Sequence, residues 1–268
     1  MNTENDYDDI FVGDTTAMVP ARPLFRDMFI HPEAQVENVR RWSFGRGTGF
    51  AARDIDKVAD QLAELDWPQG RLTVLTLVPY LPTVQQTVEA LWACARQAQP
   101  SGLLLGNIKT DPKRLWLAKG IEHQPGLRWE IINLGAYQAD GRGVSPIECR
   151  DTNSAHAGVL AAAAHFPLWV QAMAGNDVPP VWIPGYQVRT GSFGDLTRTI
   201  HLGWRPLWGS GGDNEPSPWG ITLDASLSDA RTPPWAGPII TWSGPLVKPT
   251  SAPRELNAGN RAKLALSA

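Results

Sequence analysis

The pattern of the sequence changes near Gly175, and this change constrains the fold more than any other feature. Before it, apolar residues recur at helical spacing, as at Ile55, Val58 and Leu62. After it, glycine, proline and tryptophan separate short runs in which apolar and polar residues alternate, most clearly at 220–227. Helices followed by such strands predict an α+β protein, in which N-terminal helices and a short α/β part pack on a C-terminal, tryptophan-rich antiparallel sheet.

Local signals place two of the helices. Thr83 and Gln86 form a Thr-x-x-Gln capping box, which predicts a helix start because each side chain bonds a free backbone amide. A later alanine-rich run predicts another helix, with Asn153 or Ser154 as its cap. Pro167 is expected to break or kink that helix, because proline lacks an amide hydrogen and clashes with the preceding turn.

One strand of the first half is predicted from strict alternation. Leu127, Trp129 and Ile131 are apolar, and Arg128 and Glu130 stand between them. Successive side chains of a strand point to opposite faces, so this pattern is typical of a half-buried strand. We therefore expect the two charged residues on the face that is open to solvent.

Composition along the chain predicts one folded domain with an extension at each end. Residues 1–20 are rich in Asp and Glu, and we interpret them as an acidic arm. Residues 21–245 are expected to form a single globular α+β domain. From 246 to 268 the chain is rich in proline, serine, alanine and asparagine, so we expect a disordered tail there.

Charge and composition exclude several classes of function. The formal net charge is −3, so no basic surplus exists to bind duplex nucleic acid. No apolar run is long enough to span a membrane, and the amino terminus lacks the pattern of a signal peptide. Two cysteines, Cys94 and Cys149, cannot build a disulfide framework. We therefore expect a cytoplasmic protein without membrane contact, and no motif indicates a metal or a cofactor.

Three stretches carry a resemblance to known sequences: LTVLTLVPYLPTVQQT at 72–87, SAHAGVLAAAAHFPLWVQAM at 154–173 and VPPVWIPGY at 178–186. Together they resemble a family of uncharacterised bacterial proteins. The order of helix, His-Phe-Pro and Val-Pro-x-x-Trp-Ile is more distantly similar to an actinobacterial domain of unknown function. The resemblance covers roughly residues 8–205 and implies one soluble domain, but it implies no activity, cofactor or catalytic residue.

Four polar residues are the candidates for catalysis. Asp151 and His156 lie beside Cys149 near the predicted start of the alanine-rich helix, where a helix dipole and an imidazole can activate a thiolate. His201 and Asp213 join them because a site can be assembled from residues that are distant in sequence. In the alternative interpretation Asp151 only shapes a turn, and His156 packs or faces solvent. The enzyme hypothesis is a hydrolase or a transferase.

Tryptophan density indicates a binding surface. The chain has 12 tryptophans, of which Trp92 lies on the apolar face of a predicted helix and is assigned to the core. Five aromatic residues of the second half are candidate ligand contacts: Trp182, Tyr186, Trp204, Trp208 and Trp219. An indole offers a ligand a flat apolar face and one N–H donor. For residues 203–223 the preferred interpretation is a strand connection whose tryptophans mostly pack the framework, and a ligand-contacting surface is the alternative.

Three functional hypotheses follow from these patterns. The preferred one is a binding or interaction module whose aromatic pocket takes a small molecule or a peptide, because tryptophan is dense and no catalytic motif is present. The second is the hydrolase or transferase described above. The third is a self-associating protein in which exposed tryptophans form the interface.

Overall fold

The structure is a computed structural model of the 268-residue chain. It describes residues 29–42, 50–65, 73–99, 114–134, 156–174, 178, 180–190, 196–206, 219–227 and 237–250. The acidic arm predicted at 1–20 lies outside these residues, and so does the last part of the predicted tail, from 251 onward.

Five α-helices occur in the described part of the chain: α1 (Pro32–Arg41), α2 (Ala52–Asp60), α3 (Val84–Ala98), α4 (Ala157–His165) and α5 (Pro167–Ala174). The capping box of α3 is confirmed, since the Gln86 amide donates to Thr83 Oγ1 at 3.1 Å and the Thr83 amide to Gln86 Oε1 at 3.2 Å. The break at Pro167 is confirmed too. α4 has His156 as its N-cap, and the residues proposed for that role lie outside the described ranges. No described helix has the length and apolarity needed to cross a membrane.

Two antiparallel sheets complete the described architecture. The first has the order β1-β3-β7, with β1 at Thr73–Tyr80, β3 at Gly126–Asn133 and β7 at Ile239–Ser243. The second has the order β2-β4-β5-β6, with β2 at Leu115–Leu117, β4 at Val181–Thr190, β5 at Leu196–Pro206 and β6 at Trp219–Leu227. Helices and antiparallel sheets together confirm the α+β class. β7 is the one described strand of the second half that pairs into the first sheet.

The first sheet is covered on both faces. On one face Trp129 Nε1 donates to the carbonyl of Val58 in α2 at 2.8 Å. On the other face α4 packs so closely that a Cβ on Gly158 would lie 2.4 Å from Ile132 Cδ1. Every residue of α4 is buried, and α4 also contacts α3 and β1. Because α5 contacts β5 and β6, the broken helix α4–α5 joins the two sheets. Trp92 of α3 is buried, as its assignment to the core predicted.

The outer edge of β1 is closed by side chains. Gln35 of α1 donates from Nε2 to the Leu75 carbonyl at 2.8 Å and accepts from the Leu77 amide at 2.9 Å. His165 Nε2 lies 2.9 Å from the Leu77 carbonyl. The carboxamide of Gln35 thus takes the place of a peptide group in a neighbouring strand, which leaves these edge groups satisfied.

The segment after β7 continues along β3 and is packed as far as Thr250. Leu127 and Val247 exchange two backbone hydrogen bonds of 3.0 and 2.8 Å. The Thr250 amide donates to Asp54 Oδ2 at 3.1 Å, and the Thr250 hydroxyl donates to the other carboxylate oxygen. A Cβ on Gly126 would lie 2.6 Å from Leu246 Cδ1, so this glycine permits the close approach. The packed structure therefore extends five residues beyond the expected domain boundary at 245.

Candidate functional site

Glu130 lies in the middle of β3 with 0% of its surface exposed. The prediction that it faces solvent is wrong, because α4 covers that face of the strand. A Cβ on Gly158, in the first turn of α4, would lie 2.6 Å from Glu130 Oε2. Only glycine leaves room for the carboxyl here, and the positive end of the helix favours a negative charge beside it.

Tyr80, Arg128 and Glu130 form a closed triad of hydrogen bonds. Tyr80 Oη donates to Glu130 Oε1 at 2.5 Å, and Arg128 Nε donates to the same oxygen at 2.7 Å. Arg128 Nη2 donates to Tyr80 Oη at 3.0 Å, and the guanidinium lies over the Tyr80 ring at 4.6 Å from its centroid. These contacts hold Glu130 Oε1 and the Tyr80 hydroxyl in fixed positions, since charge-assisted hydrogen bonds are the stronger ones.

Three more aromatic side chains surround the triad. The centroid of His156 lies 5.3 Å from that of Tyr80 and 5.5 Å from that of Tyr186, so its ring sits between the two tyrosines. His123 packs edge-on against Tyr80 at 5.7 Å and donates from Nε2 to the Leu81 carbonyl at 2.6 Å. We call these six residues the buried cluster: Tyr80, His123, Arg128, Glu130, His156 and Tyr186.

Irregular backbone brings Tyr186 to the cluster. The pairing of β4 with β5 shifts register between Ile183 and Gln187, and we call the three residues left unpaired with β5, 184–186, the bulge. Within the bulge, a Cβ on Gly185 would lie 2.5 Å from His156 Cβ, so the strand passes directly against the start of α4. The Gly185 carbonyl accepts from the Ala118 amide at 3.0 Å, so the residue after β2 holds the bulge in place. The bulge therefore turns Tyr186 toward His156.

Burial changes the proton affinity of the cluster. Desolvation raises the pKa of Glu130, although Arg128 and Tyr80 oppose this shift. Burial also raises the pKa of Tyr80 and of Tyr186, and the charge of Glu130 adds to both shifts. Burial lowers the pKa of His123, because it disfavours the imidazolium form. A buried carboxyl with a raised pKa can both take and give a proton, which is what general acid–base catalysis needs.

Two oxygen atoms of the cluster have no hydrogen-bond partner in the part of the chain that the structure describes. They are Glu130 Oε2 and Tyr186 Oη, and both residues are fully buried. Buried polar atoms are nearly always paired, so these two oxygens are candidate contacts for a ligand group or a reacting atom. Arg128, whose side chain is 23% exposed, and the partly buried His123 connect the cluster to solvent.

Two of the four catalytic candidates from the sequence, His156 and His201, lie in the described residues, and they belong to different parts of the fold. His156 belongs to the buried cluster. His201 packs edge-on against Trp182, with ring centroids 5.3 Å apart. Both lie on the face of the second sheet opposite to the core residues Ile183 and Ile200, because neighbouring residues of a strand point to opposite faces. Asp151 and Asp213 lie outside the described residues.

Two of the five aromatic ligand candidates, Trp182 and Tyr186, have side chains that the structure describes. Trp182 and Tyr186 have 0% exposure, so neither is a surface contact. Tyr186 lies in the buried cluster, and Trp182 lies with His201. Trp204 and Trp219 stand on β5 and β6, paired with Ile221 and Pro206. Trp208 lies outside the described residues.

Four members of the cluster were not among the sequence-based candidates, namely Tyr80, His123, Arg128 and Glu130. No motif joins them, because they lie at the end of β1, in the connection before β3 and within β3. The Arg-x-Glu pair inside a strand was the available signal, and it was assigned to an exposed face.

The described residues contain no group of three His, Cys, Asp or Glu side chains that could hold a metal ion. Comparison with family models, with curated proteins and with solved structures finds no match for this chain. The geometry of the cluster is therefore what supports a functional assignment.

Proposed function

We propose that this chain is an enzyme, a hydrolase or a transferase, that performs acid–base chemistry on a small molecule in the buried cluster. One observation carries the proposal. Glu130 is fully buried with Oε1 held by Tyr80 and Arg128, and its Oε2 has no hydrogen-bond partner among the described residues. Convergence of titratable groups with shifted pKa values is typical of active sites.

The residues of the cluster have distinct roles in this proposal. Glu130 Oε2 takes the proton from an attacking hydroxyl group or water and returns it to the leaving group of the substrate. Tyr80 and Arg128 position the carboxyl, and Arg128 stabilises its charged form. His156 and Tyr186 form the wall opposite the triad.

The cytoplasmic location expected from the cysteine content stays a prediction.

The experiment is a turnover assay on chromogenic esters, amides and glycosides with the wild type and Glu130→Gln. The variant keeps the shape of the side chain and cannot transfer the proton, so we expect a loss of about 10²–10⁴-fold in rate. Glu122→Gln is the matched control, because Glu122 is exposed. Equal rates in the wild type and in a folded Glu130→Gln variant would exclude this role.

A binding module without chemistry is the second candidate. Contact between the rings of Tyr80, His156 and Tyr186 favours it, because aromatic rings can bind a flat ligand without converting it chemically. In this case a ligand raises the thermal stability of the wild type and of Glu130→Gln alike, and no substrate is converted.

A further inference from the structure

The two unpartnered oxygens of the cluster indicate which kind of ligand group can bind there. Glu130 Oε2 accepts hydrogen bonds, and Tyr186 Oη can donate one. His156 touches both the Tyr186 ring and the Tyr80 ring whose hydroxyl is bonded to Glu130. A Cβ on Gly158 would lie 2.6 Å from Glu130 Oε2, and the Tyr186 ring packs on His156 two residues earlier, so both residues meet the start of α4. A group that both donates and accepts therefore suits this place, and a hydroxyl is the smallest that does so.

The charges of the triad are already balanced. Arg128 directs Nε to Glu130 and Nη2 to Tyr80, so its positive charge is neutralised inside the triad. His123 donates its Nε2 hydrogen to the Leu81 carbonyl, and burial keeps its ring neutral. A charged ligand would bring an uncompensated charge to a buried place, which is strongly unfavourable.

We propose that the cluster takes a neutral alcohol or polyol, whose hydroxyl donates to Glu130 Oε2 and accepts from Tyr186 Oη. This inference rests on the proposed function, because the bound hydroxyl is the group whose proton Glu130 takes. It makes Tyr186 a residue that selects the substrate.

The test compares ligands that share one ring and differ in charge: benzyl alcohol, benzylamine and benzoate, and then glucose, glucosamine and gluconate. Dissociation constants come from tryptophan fluorescence and from chemical-shift changes in NMR spectra. We expect the neutral member of each set to bind at least about tenfold more tightly than both charged members. Tyr186→Phe should weaken that neutral ligand by about tenfold and leave the charged ones unchanged.

Tyr186→Phe also provides its own control for folding. It removes a buried hydroxyl without a described partner and keeps the ring, so its melting temperature should not fall. Tighter binding of a charged member, an unchanged affinity in Tyr186→Phe, or no binding of any ligand at roughly ten millimolar would each overturn the inference. Conversion of a charged substrate would overturn it while leaving the proposed function intact. Binding of a neutral alcohol without conversion of any substrate would exclude the proposed chemistry and leave only the hydroxyl-binding site.

Discussion

His165 is a buried histidine whose tautomer follows from its partners. Its Nε2 lies 2.9 Å from the Leu77 carbonyl, which only accepts, so Nε2 carries the hydrogen. In the neutral ring Nδ1 is then the acceptor, and Asn38 Nδ2 donates to it at 3.4 Å. Trp42 packs on the ring with centroids 4.4 Å apart. Burial lowers the pKa of His165 to about 3.

This histidine makes the protein less stable in acid. Its folded pKa of about 3 lies below the ordinary value of 6.5, so between these pH values the unfolded chain binds more protons. Its contribution is complete above pH 6.5 and falls with decreasing pH, by up to about 1.4 kcal/mol per pH unit. His165→Gln should lose this slope in urea unfolding measured from pH 7 to pH 4. The exposed His31→Gln is the control and should keep it. Parallel curves for all three proteins would contradict the assignment.

Gly158 gives a second prediction at the scale of the residue. A Cβ there would lie 2.6 Å from Glu130 Oε2 and 2.4 Å from Ile132 Cδ1. Gly158→Ala should therefore destabilise the protein by about 1–3 kcal/mol through overpacking. Ile132→Val removes Cδ1, so it should relieve only part of that cost in the double variant. Urea unfolding of the four proteins of this cycle isolates the coupling between Gly158 and Ile132, and the cost that remains is assigned to the Glu130 carboxyl. Complete relief by Ile132→Val would show that Gly158 is not needed for Glu130.

Among the elements, β1 depends on a side chain from α1 for its outer edge. Gln35→Met keeps the length of the side chain but leaves the Leu75 carbonyl and the Leu77 amide without that partner. Because both groups are buried, we expect a loss of about 2–4 kcal/mol. The urea midpoint should fall while the slope m stays unchanged.

The control for Gln35→Met is Glu37→Met on the exposed side of the same helix. It should change stability by no more than about 0.5 kcal/mol. Similar losses in the two variants would mean that the effect comes from α1 itself rather than from the edge of β1.

Periodicity predicted the elements better than it predicted their surroundings. The capping box placed the start of α3, and Pro167 placed the break between α4 and α5, because these signals are local. The alternation in β3 predicted a strand correctly, but it could not show that α4 covers the second face and buries Glu130. That contact joins positions that are 28 residues apart in sequence, from Glu130 to Gly158, and no local pattern records it.

At the scale of the whole molecule, residues 244–250 after β7 are part of the folded structure. Deletion of residues 244–268 removes the hydrogen bonds between Leu127 and Val247 and the contact of Thr250 with Asp54. We expect faster hydrogen exchange at the Leu127 amide, measured by NMR or mass spectrometry. Deletion of 251–268 alone is the matched control and should leave that amide protected. Equal protection in the two truncated proteins would refute this role of the segment.

The buried cluster is a property of the complete fold. His156 was a catalytic candidate and Tyr186 a ligand candidate, and the two were assigned to different sites. The structure brings them together because α4 and the bulge of β4 meet at Gly185. Tyr80 and Glu130 come from the other sheet, so only the packing of both sheets against α4 creates the site. Two members of the cluster are therefore candidates from the sequence alone, and their neighbours are not, because they come from distant elements.

The distance along the chain between β3 and β7 has a consequence for biosynthesis. β3 ends at Asn133, and its second partner begins only at Ile239. A ribosome that adds roughly 5–20 residues per second leaves that side of β3 without β7 for on the order of 5–20 s. During this interval the middle strand of the finished sheet is an open edge that another nascent chain can pair with. Translational pausing between these two strands should therefore increase aggregation of the newly made protein.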